Sequence, residues 1–391
     1  MYEHSKYNIK IDFDRSISSY VYDCNKEKYY LDFFNQYSTN PLGYNHCIYN
    51  DNGVFDETVL VLARNKIANC EMETFEGEEF YYRFKKFPGK DYKNFYFSCT
   101  GGLAVEAAIK CAINNRHVDN PSILHLKGSF HGITGLSMAV TDRFNPIDKH
   151  INPKYVPFSL WNKLCAPTIP DNNIELYMKQ LDLIKKYSGK SAIALIIEPI
   201  QCTYGDRYFK KEFFKINREF CDDNDMLLIF DEVQTGFGAT GKMWYYNHQK
   251  VKPDIVIFGK KAQVSGIMTN LPINYDMQEV TWDGNLLDMV RCTYVMKAIS
   301  SYDLLRNTTK QGNRFKNILK EYFDDVRGIG SLCAIDLPNT RKRNKVVKKL
   351  YENNILCNST RDKTIRFRMQ LHTLDEEINK FENTLGGIYN K

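Results

Sequence analysis

The amino-acid sequence predicts an α/β protein in which a mainly parallel sheet, of the seven-stranded type, lies between helices. Four short apolar runs are continuous and not alternating, which is typical of strands covered on both faces. These runs are Ser122–Gly128, Ser191–Pro199, Met226–Val233 and Asp254–Lys260. Amphipathic stretches such as LAVEAAIKCAI and KKEFFKINREFC lie between the runs. This alternation of strands and helices favours parallel strand pairing.

The two ends of the chain predict a second, smaller α+β domain. Near the start, KYYLDFF is rich in residues that favour a strand, and a helical pattern begins at about Glu57. After about residue 285 the sequence predicts long helices, a charged helix RKRNKVVKKLYENN and a final strand TIRFRMQL. We therefore predict a large domain at 51–290 and a discontinuous small domain made of 1–50 and 291–391.

Composition and charge exclude several classes of protein. The 391 residues carry a net charge of only +6, which does not indicate an anionic polymer as partner. The polar start and the lack of a long apolar run predict a soluble, cytoplasmic protein. The 11 cysteines form no CxxC pair, which favours reduced thiols over disulfides or a metal site. The basic helix at 341–349 predicts a solvated face, with Val346, Val347 and Leu350 directed inward.

Several residues with reactive side chains follow the predicted strands. Asp231 and Glu232 end the run MLLIFDEV, at the sheet edge where α/β proteins bind ligands. Lys260 and Lys261 end DIVIFGKK, where partial desolvation would lower the pKa of a lysine and expose a nucleophilic amine. From these residues alone, a carboxylate pair and a lysine pair in solvated loops remain alternatives.

Glycine-rich segments give two weaker signals. Thr100, Gly101 and Gly102 precede a predicted helix whose free N–H groups would suit a phosphate, although an ordinary helix cap is the commoner explanation. Phe130, in FHG, could lie on a planar ring or be an ordinary core residue. The segment GFGATGK at 236–242 approaches a nucleotide-binding loop, but Met243 stands where that loop needs a hydroxyl. The segment at 236–242 therefore predicts a loop that starts a helix and binds no nucleotide.

Taken in order, these segments resemble the class III aminotransferases, pyridoxal-phosphate enzymes of fold type I. The resemblance rests on TGG, FHG, IIEPIQ, FDEVQTGFGATGKMW, PDIVIFGKK and the IRF strand, and it covers nearly the whole chain. FDEVQTG with a lysine 29 positions after its aspartate is its most specific part. Within the class, FGKKAQVSG, TWDGNLLDMVR and IRFR look most like L-lysine 6-aminotransferase. The resemblance implies transfer of an amino group, such as the terminal amine of lysine, to 2-oxoglutarate.

The resemblance also implies cofactor-binding roles for individual residues. Lys260 would form the Schiff base with the cofactor, since the spacing from the aspartate selects it over Lys261. Asp231 would bind the pyridine nitrogen, Gln234 the phenolic oxygen, and Phe130 would stack on the ring. The two glycines, Gly101 and Gly102, would bind the phosphate. Thr281, in VTWDGN, looks like a residue that reaches the phosphate of a partner subunit, which implies a homodimer.

Other positions depart from the lysine 6-aminotransferase pattern. Where that family has FHGR, with an arginine for the substrate carboxylate, this chain has Ile133. Where it has EPIQGEGG, the second glutamate is replaced by Thr203, and RFRPPL has become RFRMQL. Arg366 matches the carboxylate-binding arginine of the family, and for Arg368 a solvated strand position is favoured. We therefore expect a transaminase that accepts 2-oxoglutarate but takes an amino donor other than free lysine.

Two rival functions remain open on the sequence. A pyridoxal-phosphate isomerase or decarboxylase of the same class would share the lysine and the aspartate. A nucleotide-binding protein would use GFGATGK instead, and it would bind nucleotide without a pyridoxal cofactor. No metal site is predicted.

Overall fold

The computed structural model describes residues 7–68, 72–143, 165–166, 174–188 and 191–389. The chain divides into two compact units. The first unit comprises 1–65, 238–243 and 294–391, and the second comprises 66–237 and 244–293. The predicted domain boundaries at residues 50 and 290 stay a prediction.

Strands and helices alternate through the middle of the chain. The strands are β1 Ile11–Ile17, β2 Tyr20–Asp23, β3 Lys28–Asp32, β4 Asn94–Ser98, β5 Ser122–Leu126, β6 Cys165–Ala166, β7 Ala192–Ile197, β8 Ile200–Gln201, β9 Arg207–Tyr208, β10 Leu227–Asp231, β11 Ile255–Phe258, β12 Ser265–Thr269, β13 Asp325–Ile329, β14 Leu332–Asp336, β15 Ile355–Leu356, β16 Asn358–Thr360 and β17 Thr364–Arg368. The main helices are α1 Val54–Arg64, α2 Phe75–Lys86, α3 Gly101–Arg116, α4 Gly135–Ala139, α5 Ile174–Ser188, α6 Lys211–Asp223, α7 Tyr246–Gln249, α8 Leu286–Ser301, α9 Leu304–Lys320, α10 Thr340–Glu352 and α11 Asp375–Tyr389.

The second unit is built on a seven-stranded sheet in the order β4-β12-β11-β10-β7-β5-β6. Strand β12 is antiparallel to both of its neighbours. The pairs from β11 to β6 are all parallel. The predicted mainly parallel sheet is therefore confirmed.

Helices cover both faces of this sheet, which explains why its strands are continuously apolar. On β10, Ile229 belongs to the buried cluster that contains Ala104 and Ala108 of α3. The next residue, Phe230, points to the opposite face, where its ring lies 5.7 Å from that of Phe214 on α6. Because successive side chains alternate between faces, both must be apolar.

The first unit combines two four-stranded sheets with helices. The sheets have the orders β1-β2-β3-β15 and β13-β14-β17-β16. Aromatic rings dominate its core, and those of Phe315 on α9 and Phe381 on α11 lie 4.4 Å apart. On α10, Val346 and Leu350 are buried while Lys345 and Lys348 are exposed. This confirms the predicted solvated basic face.

The cysteines, possible metal ligands and apolar helices of the described residues bear on the predictions made from composition. Nine of the cysteines within the described ranges are free, and six of these nine are buried. In the same ranges, no group of His, Cys, Asp and Glu side chains could hold a metal ion. Nor does that part of the chain contain a helix long and apolar enough to cross a membrane.

Candidate active site

A cavity of about 340 Å³ opens at the carboxyl ends of the parallel strands in the second unit. This is the edge at which open α/β sheets bind ligands. The cavity is lined by Thr100, Gly101, Gly102, Val105, Phe130, His131, Gly132, Ile133, Thr134, Glu198, Ile200, Cys202, Thr203, Asp231, Val233, Gln234 and Lys260.

Asp231, the last residue of β10, presents a buried carboxylate to this cavity. One of its oxygens lies 2.8 Å from Nδ1 of the buried His131, and the other accepts the N–H of Val233 at 3.1 Å. Nε2 of His131 has no hydrogen-bond partner within the described part of the chain. We did not predict a role for His131, although it stands inside the FHG motif. Its imidazole fixes the orientation of the carboxylate that we had predicted.

The amino end of α3 forms one side of the cavity. Thr100 precedes this 16-residue helix, and its side chain makes no capping hydrogen bond. The first N–H groups of a helix carry partial positive charge and are suited to bind an anion. A Cβ atom on Gly102 would lie only 3.1 Å from Oγ1 of Thr134, so a side chain there would crowd the space beside these groups.

Of the two adjacent lysines, only Lys260 lines the cavity. Lys260 is half-buried and has a positive φ of 51°. This left-handed backbone conformation is costly for a residue with a side chain, and such strain is concentrated at functional sites. Lys261 is only 2% exposed and is not among the lining residues.

The predicted Phe130, Gln234, Thr203 and Ile133 also line the cavity. Ile133 is 68% exposed, which is unusual for a large apolar side chain. Apolar Val233, which the sequence did not single out, also lines the cavity. The cavity therefore combines apolar surfaces with two carboxyl groups and one lysine.

The second carboxyl group, Glu198, was not predicted. It follows β7 directly, is 7% exposed, and accepts the N–H of Phe130 at 2.8 Å. Burial, and then the negative charge of Asp231, raises the pKa of Glu198 well above its usual range. The sequence did contain a signal for Glu198, because this residue follows an apolar run just as Asp231 does.

Glu232, the acidic neighbour of Asp231, has a structural role instead. Its buried carboxylate accepts the N–H groups of Tyr245 and Tyr246, at 2.6 Å and 3.0 Å. Burial raises the pKa of Glu232 to about 7. It is not among the residues that line the cavity.

Three predicted residues lie elsewhere. Thr281 is exposed, in the segment that precedes α8, and it does not line the cavity of its own chain. Arg366 and Arg368 belong to β17 in the first unit, and both are buried. The interpretation of Arg368 as a solvated residue is wrong, since it is 2% exposed and donates to the carbonyl of Phe367 at 3.1 Å. Strand β17 is covered on both faces.

The segment at 236–242 does not start a helix, so that part of its prediction is also wrong. It forms a series of turns, and the next helix, α7, begins only at Tyr246. A Cβ atom on Gly236 would lie 2.5 Å from the ring of Trp244. The glycine there permits close packing against an aromatic side chain.

Comparison with known proteins agrees with this geometry. The family model described as aminotransferase class-III matches residues 1–388. The L-lysine-epsilon aminotransferase of Mycobacterium tuberculosis is 32% identical, with 95% of this chain and 89% of the relative covered. The enzyme of the same name from Streptomyces clavuligerus is 30% identical, with 96% and 89% covered.

Solved structures show the same similarity. A lysine aminotransferase from M. tuberculosis matches with a TM-score of 0.86 and 29% identity, covering 97% of this chain and 94% of the other. The ornithine aminotransferase of Toxoplasma gondii has a TM-score of 0.82 at 21% identity, covering 100% and 94%, and supports the fold alone.

Proposed function

The chain belongs to the class III aminotransferases, pyridoxal-phosphate-dependent enzymes of fold type I, and we propose that it moves a terminal amino group to 2-oxoglutarate at the cavity described above. One observation carries this proposal for the site. Lys260, Asp231 and the amino end of α3 converge on a single cavity. A nucleophilic amine, a buried carboxylate and an anion site are the three groups that this cofactor needs.

The residues present fit pyridoxal phosphate. The N–H groups at Gly101 and Gly102 would hold its phosphate, and Asp231, oriented by His131, would hold its ring nitrogen. Phe130 would contact the ring face, and Gln234 the phenolic oxygen. When bound, the cofactor supplies a reactive carbonyl and an electron-withdrawing ring.

The protein side chains then perform acid–base and electrostatic work. Nζ of Lys260 is the group placed to move a proton at the substrate carbon, because no second lysine or arginine lines the cavity among the described residues. The carboxylate of Asp231 stabilises a positive charge on the group that it contacts. An isomerase or decarboxylase is not favoured by the comparisons, and neither is a nucleotide-binding protein.

We further propose that the amino donor carries no carboxylate near Ile133. Ile133 replaces the arginine that the resemblance assigns to the substrate carboxylate, and its exposed side chain offers no hydrogen bond. A carboxylate placed there would lose water without gaining a partner. We propose that Arg366 binds 2-oxoglutarate, with the neutral Thr203 at the position where the resemblance places a glutamate.

A matched pair of donors tests this specificity. L-lysine and 1,5-diaminopentane differ only by the carboxylate, and we expect the diamine to have a kcat/KM about 10- to 100-fold higher. Formation of glutamate from 2-oxoglutarate measures both. Turnover of L-lysine at a typical enzymatic rate, on the order of 1 to 10³ per second, would contradict the donor proposal but support the transaminase. Ile133→Arg should shift the preference towards L-lysine.

We also propose that the protein is a cytoplasmic homodimer. Thr281 lies outside the cavity of its own chain, as expected of a residue that serves a partner subunit. Sedimentation velocity should give twice the mass of one chain. A monomer that retains full activity would contradict the shared site.

A further inference from the structure

Glu198 is a cavity-lining carboxyl group to which the proposed reaction gives no role. Its hydrogen bond from the N–H of Phe130 is the one that it makes within the described part of the chain. That bond occupies Oε1, and Oε2 has no hydrogen bond there. A carboxyl group that is 93% buried and open to a cavity on one oxygen needs either a proton or a ligand.

The sheet places Glu198 beside Asp231. Strands β7 and β10 are parallel neighbours, with Ile197 opposite Phe230. The next residue on each strand is a carboxylic acid, and both side chains point to the same face. Two buried carboxyl groups so close together do not both ionise readily.

Besides its two members, three charged or titratable groups act on this carboxyl pair: Lys260, Arg143 and His131. Asp231 disfavours ionisation of Glu198, whereas Lys260 and Arg143 favour it. His131 forms a hydrogen bond with Asp231, which holds that carboxylate in place. Burial is the largest effect, and it keeps the pKa of Glu198 well above its usual range. The protonation state of Glu198 therefore depends on the charges placed beside it in the cavity.

The proposed reaction changes these charges, because one cavity receives a cationic amine and later an anionic keto acid. We propose that Glu198 determines specificity for both substrates by changing its protonation state between them. It releases its Oε2 proton to solvent when an alkylammonium ion binds, and the carboxylate then pairs with the cation. When a dicarboxylate binds, Glu198 takes up one proton from solvent and repels no anion. This inference rests on the proposed function.

Binding of glutarate, which resembles 2-oxoglutarate but has no reactive carbonyl, tests the proton linkage in the holoenzyme. As the pH rises through the raised pKa of Glu198, the affinity for glutarate should fall, by up to about tenfold per pH unit above that pKa. In Glu198→Gln, which is always neutral, this part of the pH dependence should disappear. Any other group that titrates over this range does so in both proteins, so the difference between them isolates Glu198.

The two half-reactions provide a second test. At neutral pH, Glu198→Gln should lower kcat/KM for the amine on the order of 10- to 100-fold, through loss of a partly buried charge. The kcat/KM for 2-oxoglutarate should stay within about threefold of the wild-type value, because the neutral amide resembles the protonated acid. Glu198→Asp, which keeps a titratable group, should restore part of the pH dependence.

Glu232→Gln is the matched control, because Glu232 is buried beside Asp231 but does not line the cavity. It should lower stability and leave the ratio of the two half-reactions unchanged. An equal loss in both half-reactions of Glu198→Gln, or an identical pH profile of glutarate binding in wild type and variant, would overturn the inference while transamination stands. If no amine yields glutamate in the wild type, the proposed function itself fails.

Discussion

Replacing Lys260 with alanine should lower transamination by at least about 10⁴-fold, the upper range for loss of an acid–base group. The reason is geometric. Lys260 is the lysine that reaches the cavity, and it is held there in a strained left-handed conformation. No other lysine or arginine lines the cavity within the described residues, so none is placed to take over. Single-turnover rates with amine and with 2-oxoglutarate would measure the loss.

Chemical trapping identifies the lysine independently of activity. Borohydride reduction of the holoenzyme should fix the cofactor covalently, and mass spectrometry of peptides should locate it on Lys260. The adjacent Lys261 is the control, since Lys261→Ala should still be labelled at Lys260 although burial of its side chain predicts some loss of stability. Label on Lys261 in the wild type would show that the assignment is wrong.

The sheet and its reactive edge could be predicted because strands covered on both faces have a plain sequence pattern. Runs such as MLLIF are apolar at every position, and the first polar residue after them marks the end of the strand. That rule gave Asp231 correctly. The same rule applied to SAIALIIEP would have given Glu198, but the importance of Glu198 depends on its neighbour. Register between β7 and β10, which are separated by α6 and its loops, brings the two carboxyl groups together, and such non-local pairing has no local signal.

The two wrong predictions have a common cause, since both applied a local tendency where tertiary packing decides. Arginine is usually exposed, but Arg368 belongs to a strand whose five residues are all buried. Glycines spaced as in GFGATGK can start a helix, but Gly236 lies against the ring of Trp244 and the chain turns instead. His131 was overlooked for a different reason. The sequence does not reveal that its imidazole meets a carboxylate 100 positions further along the chain.

Asp231→Asn should reduce kcat on the order of 10³-fold, at the upper end of what loss of one electrostatic contact costs. The amide has nearly the same shape and can still bond to His131, so the loss would report the missing negative charge. Removing that charge should also lower the pKa of Glu198, for which Asp231 is the second cause of the raised value. The pH dependence of glutarate binding should therefore move to lower pH in the variant.

These two effects together separate electrostatics from structural damage. Asp254→Asn is the control, because Asp254 precedes β11 at the opposite end of the sheet and its carboxylate bonds to Arg218 and to the N–H of Leu228. It should lower the free energy of unfolding but leave the pH dependence of glutarate binding unchanged. If Asp231→Asn kept its activity, the ring nitrogen would not depend on this carboxylate. If activity fell but the pH dependence of glutarate binding did not move, the charge of Asp231 would not affect the protonation of Glu198, although the register of β7 and β10 places the two residues side by side.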